Sequence, residues 1–138
     1  MDQIVFVDAN IFLEIALEDQ NSDKCKRFVQ DIIDGKIKAV TSDFIVFSCL
    51  IQIQNKTKDT QKMRDFILFL NSINNLAVLH FSLSDIIKSI ENTKKYKLDF
   101  DDSLVLAYMI NNNLKTLVSF DRDFDKINII TREEPNKQ

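Results

Sequence analysis

The sequence predicts an α/β fold, with three layers of helix, sheet and helix built on a parallel central sheet. Short runs of β-favouring apolar residues alternate with helical segments along the whole chain. The 138 residues include one glycine and one proline, a composition that favours helices over long loops. No repeat or linker divides the chain, so we expect a single domain over residues 1–132 and a polar tail at 133–138.

The composition is that of a compact globular protein. A hydrophobic content of 45% is enough for one core, and 28% charged residues with a net charge of −3 do not indicate disorder. The acidic balance argues against a broad positive surface for nucleic acid. No apolar run approaches the roughly 18 residues of a membrane span, and the first residues lack the basic charges of a signal peptide. We therefore expect a soluble cytoplasmic protein.

The first half of the chain predicts two strands and three helices. In chain order they are the strand 4–7, the helix 11–17, the helix 22–33, the strand 37–41 and the helix 44–54. Ser22 and Ser42 are the expected caps of the second and third helices, and Gly35 is expected to end the second. Cys25 and Cys49 lie in apolar helical patterns without zinc spacing and are expected as buried free thiols.

The second half begins with a polar loop at 55–60 and then repeats the alternation. The predicted elements are the helix 63–73, the strand 76–81, the helix 83–96, the helix 103–110, the strand 116–118 and a last strand 127–130. In the helix 83–96, we expect Ile86, Ile87 and Ile90 to face inward.

Two helices carry more apolar surface than one core needs. The helix 44–54 is apolar on most sides, and the helix 63–73 has its own apolar stripe. A helix of this kind is either buried or paired with another chain. We therefore expect a homodimer.

Acidic residues collect where a parallel sheet would bring them together. They are Asp8 after the first strand, Asp99, Asp101 and Asp102 at the start of the helix 103–110, and Asp121 and Asp123 after the strand 116–118. Ligands of open parallel sheets bind outside the carboxyl ends of the strands, so these acids are expected to share one cleft.

An aspartate just before a helix is commonly an N-cap. Taken one at a time, four aspartates can be explained in this way: Asp8, Asp43, Asp101 and Asp102. It does not explain why the acids gather at strand ends and one helix start. Carboxylates that lie close together raise one another's pKa unless a cation sits among them. Ligation by oxygen alone suits Mg²⁺ or Mn²⁺ rather than zinc, and such a site supports phosphoryl transfer.

Three motifs together resemble the PIN domain, and most of all the VapC-type ribonuclease toxins of prokaryotic toxin–antitoxin modules. They are Asp-x-Asn at 8–10, Asp-Asp-Ser at 101–103 and Ser-Phe-Asp-Arg-Asp-Phe at 119–124. The resemblance covers essentially the whole chain. It implies an endoribonuclease that depends on Mg²⁺ or Mn²⁺, hydrolyses RNA phosphodiester bonds, forms a homodimer and is held inactive by an antitoxin protein.

Carried over position by position, the resemblance assigns catalytic and metal-binding roles to Asp8, Asp102 and Asp121, with Asp101 and Asp123 as neighbouring alternatives. Asn10 and Ser119 match polar residues that orient metal, water or phosphate. Arg122, inside the acidic segment, is expected to meet RNA phosphates.

The sequence departs from the family at one acid. The family has a glutamate in the helix after the second strand, and Ser48 stands at that place, where its hydroxyl can hold a water but brings no charge. Asp43 near the start of the same helix is a candidate substitute ligand, and Glu14 is a more remote one. This departure leaves open a degenerate PIN domain that binds RNA or protein without cutting. A further alternative is a PIN nuclease of RNA processing or DNA repair rather than a toxin.

Overall fold

The computed structural model describes residues 3–135 and confirms the predicted α/β class. Five parallel strands form one sheet in the order β3-β2-β1-β4-β5, with helices on both faces. The elements are β1 (Ile4–Val7), α1 (Ala9–Ala16), α2 (Ser22–Ile33), β2 (Lys38–Ser42), α3 (Asp43–Thr57), α4 (Thr60–Asn71), β3 (Leu76–Leu79), α5 (Leu83–Tyr96), α6 (Phe100–Asn111), β4 (Thr116–Val118), a 3₁₀ turn (Arg122–Lys126) and β5 (Thr131–Glu133). None of the helices in this described part is long and apolar enough to cross a membrane.

Strand β1 is the centre of the sheet. It pairs with β2 on one side and β4 on the other, and Val5, Phe6 and Val7 are buried. This position explains the continuous apolar run, because a central strand of a covered parallel sheet is buried on both faces. Val7 pairs with Val118, the last residue of β4, so the two strands end side by side.

Helix α6 is buried through its middle and exposed at both ends. Every residue from 103 to 109 is buried, and the Tyr108 ring stacks on Phe81 with 3.7 Å between ring centroids. Cys25 and Cys49 are buried free thiols, as expected. Burial raises the pKa of Cys25 to about 12, which leaves this thiol unreactive at neutral pH.

Of the three helix ends for which the sequence predicted a residue, two are confirmed and one is wrong. The Ser42 hydroxyl accepts a hydrogen bond from the Ile45 amide and caps α3, and Gly35 follows α2 with a φ of +78°. The prediction that Ser22 caps α2 is wrong. Asn21 holds the N-cap position without a side-chain bond, and Ser22 is the buried first residue of the helix.

The predicted loop at 55–60 is wrong in its first half. Helix α3 continues to Thr57, whose hydroxyl donates to the Ile53 carbonyl over 2.7 Å. Lys58 then adopts a left-handed conformation with a φ of 54°, and Asp59 caps α4. Two residues therefore separate the helices.

The position predicted for the last strand, 127–130, is also wrong. Ile127 and Ile130 are buried, but they belong to the turn after the 3₁₀ turn, and β5 begins at Thr131. Glu133, the first residue of the predicted tail, pairs with Val118 in the sheet. The last part of that tail, 136–138, lies outside the described residues.

Helix α5 faces α6 with a different side from the predicted one. Ser89 is its buried residue, whereas Ile87 is 58% exposed and Ile90 is also exposed. The inward orientation predicted for Ile87 and Ile90 is therefore wrong. The Ser89 hydroxyl donates to the Asp85 carbonyl of the same helix over 3.1 Å.

Candidate metal centre

The ends of β1 and β4 are joined by a pair of side chains. The Asp8 amide donates to the Val118 carbonyl over 3.1 Å, and the Ser119 hydroxyl donates to Oδ2 of Asp8 over 2.6 Å. The other oxygen of Asp8 accepts the Ala9 amide over 2.8 Å, so Asp8 is also the N-cap of α1. The carboxylate is buried and held at both oxygens.

Asn10 secures the same junction. Its Nδ2 lies 3.0 Å from Ser119 Oγ and 3.4 Å from Asp8 Oδ2, and its Oδ1 accepts the Phe120 amide over 3.2 Å. Both amide hydrogens and the carbonyl of Asn10 are therefore used within the protein. The spacing of Asp8 and Asn10 places them on the first turn of α1, facing the end of β4.

The acids after β4 are fixed by the 3₁₀ turn. The Asp121 amide donates to Ser119 Oγ over 3.0 Å, and Oδ1 of Asp121 accepts the Asp123 amide over 2.9 Å. Asp121 thus caps the turn, which brings it and Asp123 beside Asp102 at the start of α6. One carboxylate oxygen from each of these three aspartates lies within 4.8 Å of the other two.

A second group of acids adjoins the first at the start of α6. Carboxylate oxygens of Asp99, Asp101 and Asp102 also lie within 4.8 Å of one another. Asp101 accepts the Asp102 amide over 3.0 Å, whereas Asp99 holds the N-cap position of α6 without a side-chain bond. Asp102 belongs to both groups and connects them.

The acids face a cleft of about 220 Å³. It is lined by Asp8, Ala9, Asn10, Leu13, Phe44, Ile45, Ser48, Gln52, Asp101, Asp102, Val105 and Asp121. Four of the aspartates expected at the strand and helix ends meet here, with Asp123 at their edge. Ser48 and Gln52 enter from α3. Gln52 was missed in the sequence, although its position four residues after Ser48 places both on one helix face.

The carboxylates destabilise one another's charge. Burial raises the pKa of Asp8, which the hydrogen bond from Ser119 partly opposes. Burial and then the charges of Asp101, Asp121, Asp8 and Asp123 raise the pKa of Asp102 to about 7. Within residues 3–135, no basic side chain forms an ion pair with these acids. A set of carboxylate oxygens without a compensating cation fits a hard divalent ion.

The PIN domain family model matches residues 5–130, nearly the whole chain. The chain belongs to the PIN domain family. Among curated proteins, none gives a significant sequence match.

Solved structures share this fold at low sequence identity. The sarcin-ricin-loop-cleaving toxin VapC20 of Mycobacterium tuberculosis has a TM-score of 0.78 at 15% identity, covering 95% of this chain and 99% of that one. VapBC2 of Rickettsia felis, bound to a DNA fragment from its promoter, has a TM-score of 0.74 at 17% identity, covering 97% and 100%. A toxin–antitoxin complex of Klebsiella pneumoniae has a TM-score of 0.69 at 16% identity, covering 92% and 95%. At these identities the likeness concerns the fold.

Asp43, the candidate substitute for the missing family acid, lies outside the cleft of this PIN domain. Its carboxylate accepts hydrogen bonds from the Tyr108 hydroxyl, from the Phe44 amide at 2.7 Å and from the His80 ring nitrogen Nδ1 at 3.2 Å. Although burial acts to raise it, these hydrogen bonds lower the pKa of Asp43. The residue faces a separate, largely apolar hollow beside β3. Its expected role as a metal ligand is therefore not supported by its position.

Glu14 and Arg122 also lie away from the cleft lining. Glu14 accepts the Asn21 amide over 3.0 Å and holds the turn between α1 and α2. Arg122 is exposed on the 3₁₀ turn of the PIN domain, next to Asp121 and Asp123. Its contact with RNA phosphates stays a prediction.

Arg132 of β5 contacts the segment that carries Ser119, and sequence analysis did not identify it. Its Nη1 donates to the Ser119 carbonyl over 2.9 Å, and the guanidinium also pairs with Asp125 at 2.7 Å and Glu134 at 2.9 Å. These hydrogen bonds raise the pKa of Arg132, so it stays charged. In a polar segment without periodicity, the sequence gives no sign of this role.

Proposed function

We propose that this PIN domain is a divalent-metal-dependent endoribonuclease that hydrolyses RNA phosphodiester bonds as the VapC-type toxin of a toxin–antitoxin module. The observation that carries the proposal is the convergence of one carboxylate oxygen each from Asp102, Asp121 and Asp123 within 4.8 Å of one another, at a cleft that the buried Asp8 also lines. Unpaired carboxylates at this density are costly for a protein that does not bind a cation there. Action on RNA implies a cytoplasmic protein.

The residues present fit Mg²⁺ or Mn²⁺. Asp8, Asp102 and Asp121 would hold the ion, with Asp101 and Asp123 at the edge of the same set. When bound, such an ion polarises a phosphate oxygen and lowers the pKa of a water molecule. Ser119 and Asn10 fix the orientation of the Asp8 carboxylate, and the 3₁₀ turn fixes Asp121. These carboxylates would therefore need little rearrangement to hold the ion.

The toxin role draws on the solved structures. VapC20 is a toxin that cleaves the sarcin-ricin loop, and the Klebsiella structure is a toxin–antitoxin complex. Both share the fold over nearly the full length of this chain. We extend to this protein the role of a toxin that an antitoxin protein inhibits. A small antitoxin reading frame beside the gene would support this role.

The test is metal-dependent cleavage of a mixed RNA pool. Wild type should cut with Mg²⁺ or Mn²⁺ and stop with a chelator. Asp102→Asn and Asp121→Asn should each lower the rate at least about a hundred-fold, because each removes a metal ligand. Asp65→Asn, a change of an exposed aspartate on α4, is the matched control and should cut like wild type. Undiminished cleavage by Asp102→Asn and Asp121→Asn would refute the proposal.

We also propose that the protein is a homodimer. Helices α3 and α4 present a face, here called the α3–α4 face, on which Phe47 is 59% exposed, Ile51 58% and Leu68 65%. Large apolar side chains grouped on one surface are typical of an interface. A second copy of the chain would cover this face and remove it from water.

One observation favours a second function. Ser48 lines the cleft at the place of the family glutamate, so α3 contributes no carboxylate to the site. A PIN domain that has lost this acid and binds RNA without cutting it would show the same cleft. Metal binding and cleavage by Ser48→Glu, treated in the Discussion, separate the two functions.

A further inference from the structure

An RNA phosphate that enters the cleft meets mostly hydrogen-bond acceptors. The charged residues of the lining are Asp8, Asp101, Asp102 and Asp121, and an ionised carboxylate offers no donor. A phosphate oxygen needs donors or cations around it. The side chains that can donate therefore decide how the substrate sits against the cleft wall.

Asn10 and Ser119 have no donor left. The Asn10 amide gives its two hydrogens to Ser119 Oγ and Asp8 Oδ2. The Ser119 hydroxyl gives its hydrogen to Asp8 and accepts the Asp121 amide. Both residues therefore act on the substrate only indirectly, by holding Asp8 and the start of the 3₁₀ turn.

Ser48 and Gln52 on α3 are differently placed. Nε2 of Gln52 lies 3.5 Å from Oγ of Ser48, at the outer limit of a hydrogen bond. This contact uses one of the two amide hydrogens of Gln52 and leaves the hydroxyl hydrogen of Ser48 unused among the hydrogen bonds of residues 3–135. Gln52 is exposed, so a ligand in the cleft can reach it. These are the neutral donors of the lining that remain available.

We propose that Gln52, supported by Ser48, positions the RNA by donating a hydrogen bond to a non-bridging phosphate oxygen in the cleft. This assignment rests on the proposed function. Where the family has an acid that would repel the phosphate, α3 presents a hydroxyl and an amide, which attract it. The α3 side of the cleft thus binds the substrate, and the aspartates at the strand ends bind the metal.

The experiment measures RNA binding and metal binding separately. Binding of a fluorescein-labelled single-stranded RNA of mixed sequence is followed by anisotropy in Ca²⁺, and Mn²⁺ binding is followed by calorimetry. Gln52→Ala should weaken RNA binding about ten-fold, the loss of one hydrogen bond to a charged group, and should leave Mn²⁺ affinity unchanged. Where wild type cuts RNA, Gln52→Ala should raise KM more than it lowers kcat.

Two further variants sharpen the result. Gln52→Glu keeps the shape of the side chain, removes its donors and adds a negative charge, so it should weaken RNA binding more than Gln52→Ala without lowering Mn²⁺ affinity. Gln54→Ala removes an exposed glutamine from the same helix, outside the cleft lining, and is the matched control. It should bind RNA and Mn²⁺ like wild type.

Each contrary outcome has a distinct meaning. Unchanged RNA binding by Gln52→Ala overturns the proposal, and so does a loss of Mn²⁺ affinity, which would make Gln52 a metal ligand. Wild type that binds RNA without cutting refutes the nuclease function and still lets Gln52→Ala decide the positioning role. Wild type that binds no RNA overturns both.

Discussion

The Ser119 hydroxyl donates to the Asp8 carboxylate over 2.6 Å and so joins the ends of β4 and β1. The two residues are 111 positions apart in the chain, and the parallel pairing of their strands brings them together. Burial raises the pKa of Asp8, and the hydrogen bond from Ser119 opposes this rise. Ser119 therefore helps Asp8 to lose its proton, which a carboxylate must do before it binds a metal.

Ser119→Ala is expected to weaken metal binding. Without the hydroxyl, the pKa of Asp8 rises further, and the Asp121 amide and Asn10 lose a partner. We expect Mn²⁺ affinity at pH 7 to fall about ten-fold, the effect of one hydrogen bond to a charged group, and to recover partly at higher pH. Calorimetry between pH 6 and pH 8.5 measures this. Ser89→Ala, which changes a buried serine of α5 outside the cleft lining, is the control. An equal loss in both variants would indicate general destabilisation.

The metal-free protein is expected to lose stability as the pH rises. The pKa of Asp102 is about 7 in the folded chain against an ordinary value of 3.8, with burial as the main cause and the neighbouring acids next. Between these values the folded state binds more protons than the unfolded state, so stability falls with rising pH until Asp102 is ionised in both. Asp102→Asn removes the part of this dependence that comes from Asp102 and leaves the part that comes from Asp8, whose pKa is also raised.

Thermal melting in the presence of a chelator tests the pH effect. Asp102→Asn should melt at a higher temperature than wild type at pH 8, and the difference should shrink towards pH 4. Added Mn²⁺ should reverse the order at pH 8, because the ion stabilises the carboxylates of wild type. A difference that does not vary with pH would contradict the raised pKa of Asp102.

Asp43→Asn is expected to affect stability without affecting metal binding. Asp43 holds Tyr108, His80 and the first turn of α3 rather than the cleft. Replacing its carboxylate should cost about 1 kcal/mol of unfolding free energy, or about 3 °C in melting temperature for a chain of this size. Mn²⁺ affinity should remain that of wild type, whereas Asp121→Asn should lose it. A loss of Mn²⁺ affinity in Asp43→Asn would restore Asp43 as a ligand.

The sequence predicted the convergence of the aspartates better than the edges of the fold. Asp8 directly follows the apolar run of β1, so the end of that strand is marked by the change to a charge, and Asp121 lies three residues after the end of β4. Strand β5 has no such pattern. Its Arg132 is partly buried and is held by pairs with Asp125 and Glu134 and by a hydrogen bond to the Ser119 carbonyl. Tertiary contacts of this kind form a strand that local sequence does not show.

The faces of helices were predicted less well for a similar reason. The isoleucines of α5 form a stripe, but the sequence does not say whether that stripe meets the core or the solvent. Ser89 is the residue of α5 that is fully buried, and Ile87 and Ile90 remain exposed. Gln52 was missed because its position in the cleft lining depends on which side of α3 meets the strand ends.

The exposed isoleucines also provide a test of the proposed homodimer. Ile51 lies on the α3–α4 face and Ile87 on α5, and each is 58% exposed. If a second copy covers the α3–α4 face, Ile51→Glu should raise the dimer dissociation constant at least about a hundred-fold, because it buries an unpaired charge. Ile87→Glu should leave the dimer intact. Light scattering at micromolar concentration distinguishes the variants, and a monomeric wild type would contradict the proposal.

Ser48→Glu separates a working nuclease from a decayed one. The new carboxylate enters a cleft that already contains Asp8, Asp102 and Asp121, so it adds a ligand for a divalent ion. We expect Mn²⁺ affinity to rise about ten-fold, since each added charge strengthens a hard-cation site.

If the natural protein is a nuclease, it cuts RNA before the substitution, and Ser48→Glu raises KM because it removes a donor from the α3 wall. If the site is degenerate, the natural protein does not cut and Ser48→Glu restores cleavage. Parallel calorimetry and cleavage assays on both proteins decide between these outcomes, because metal affinity should rise in either case and cleavage should respond in opposite ways.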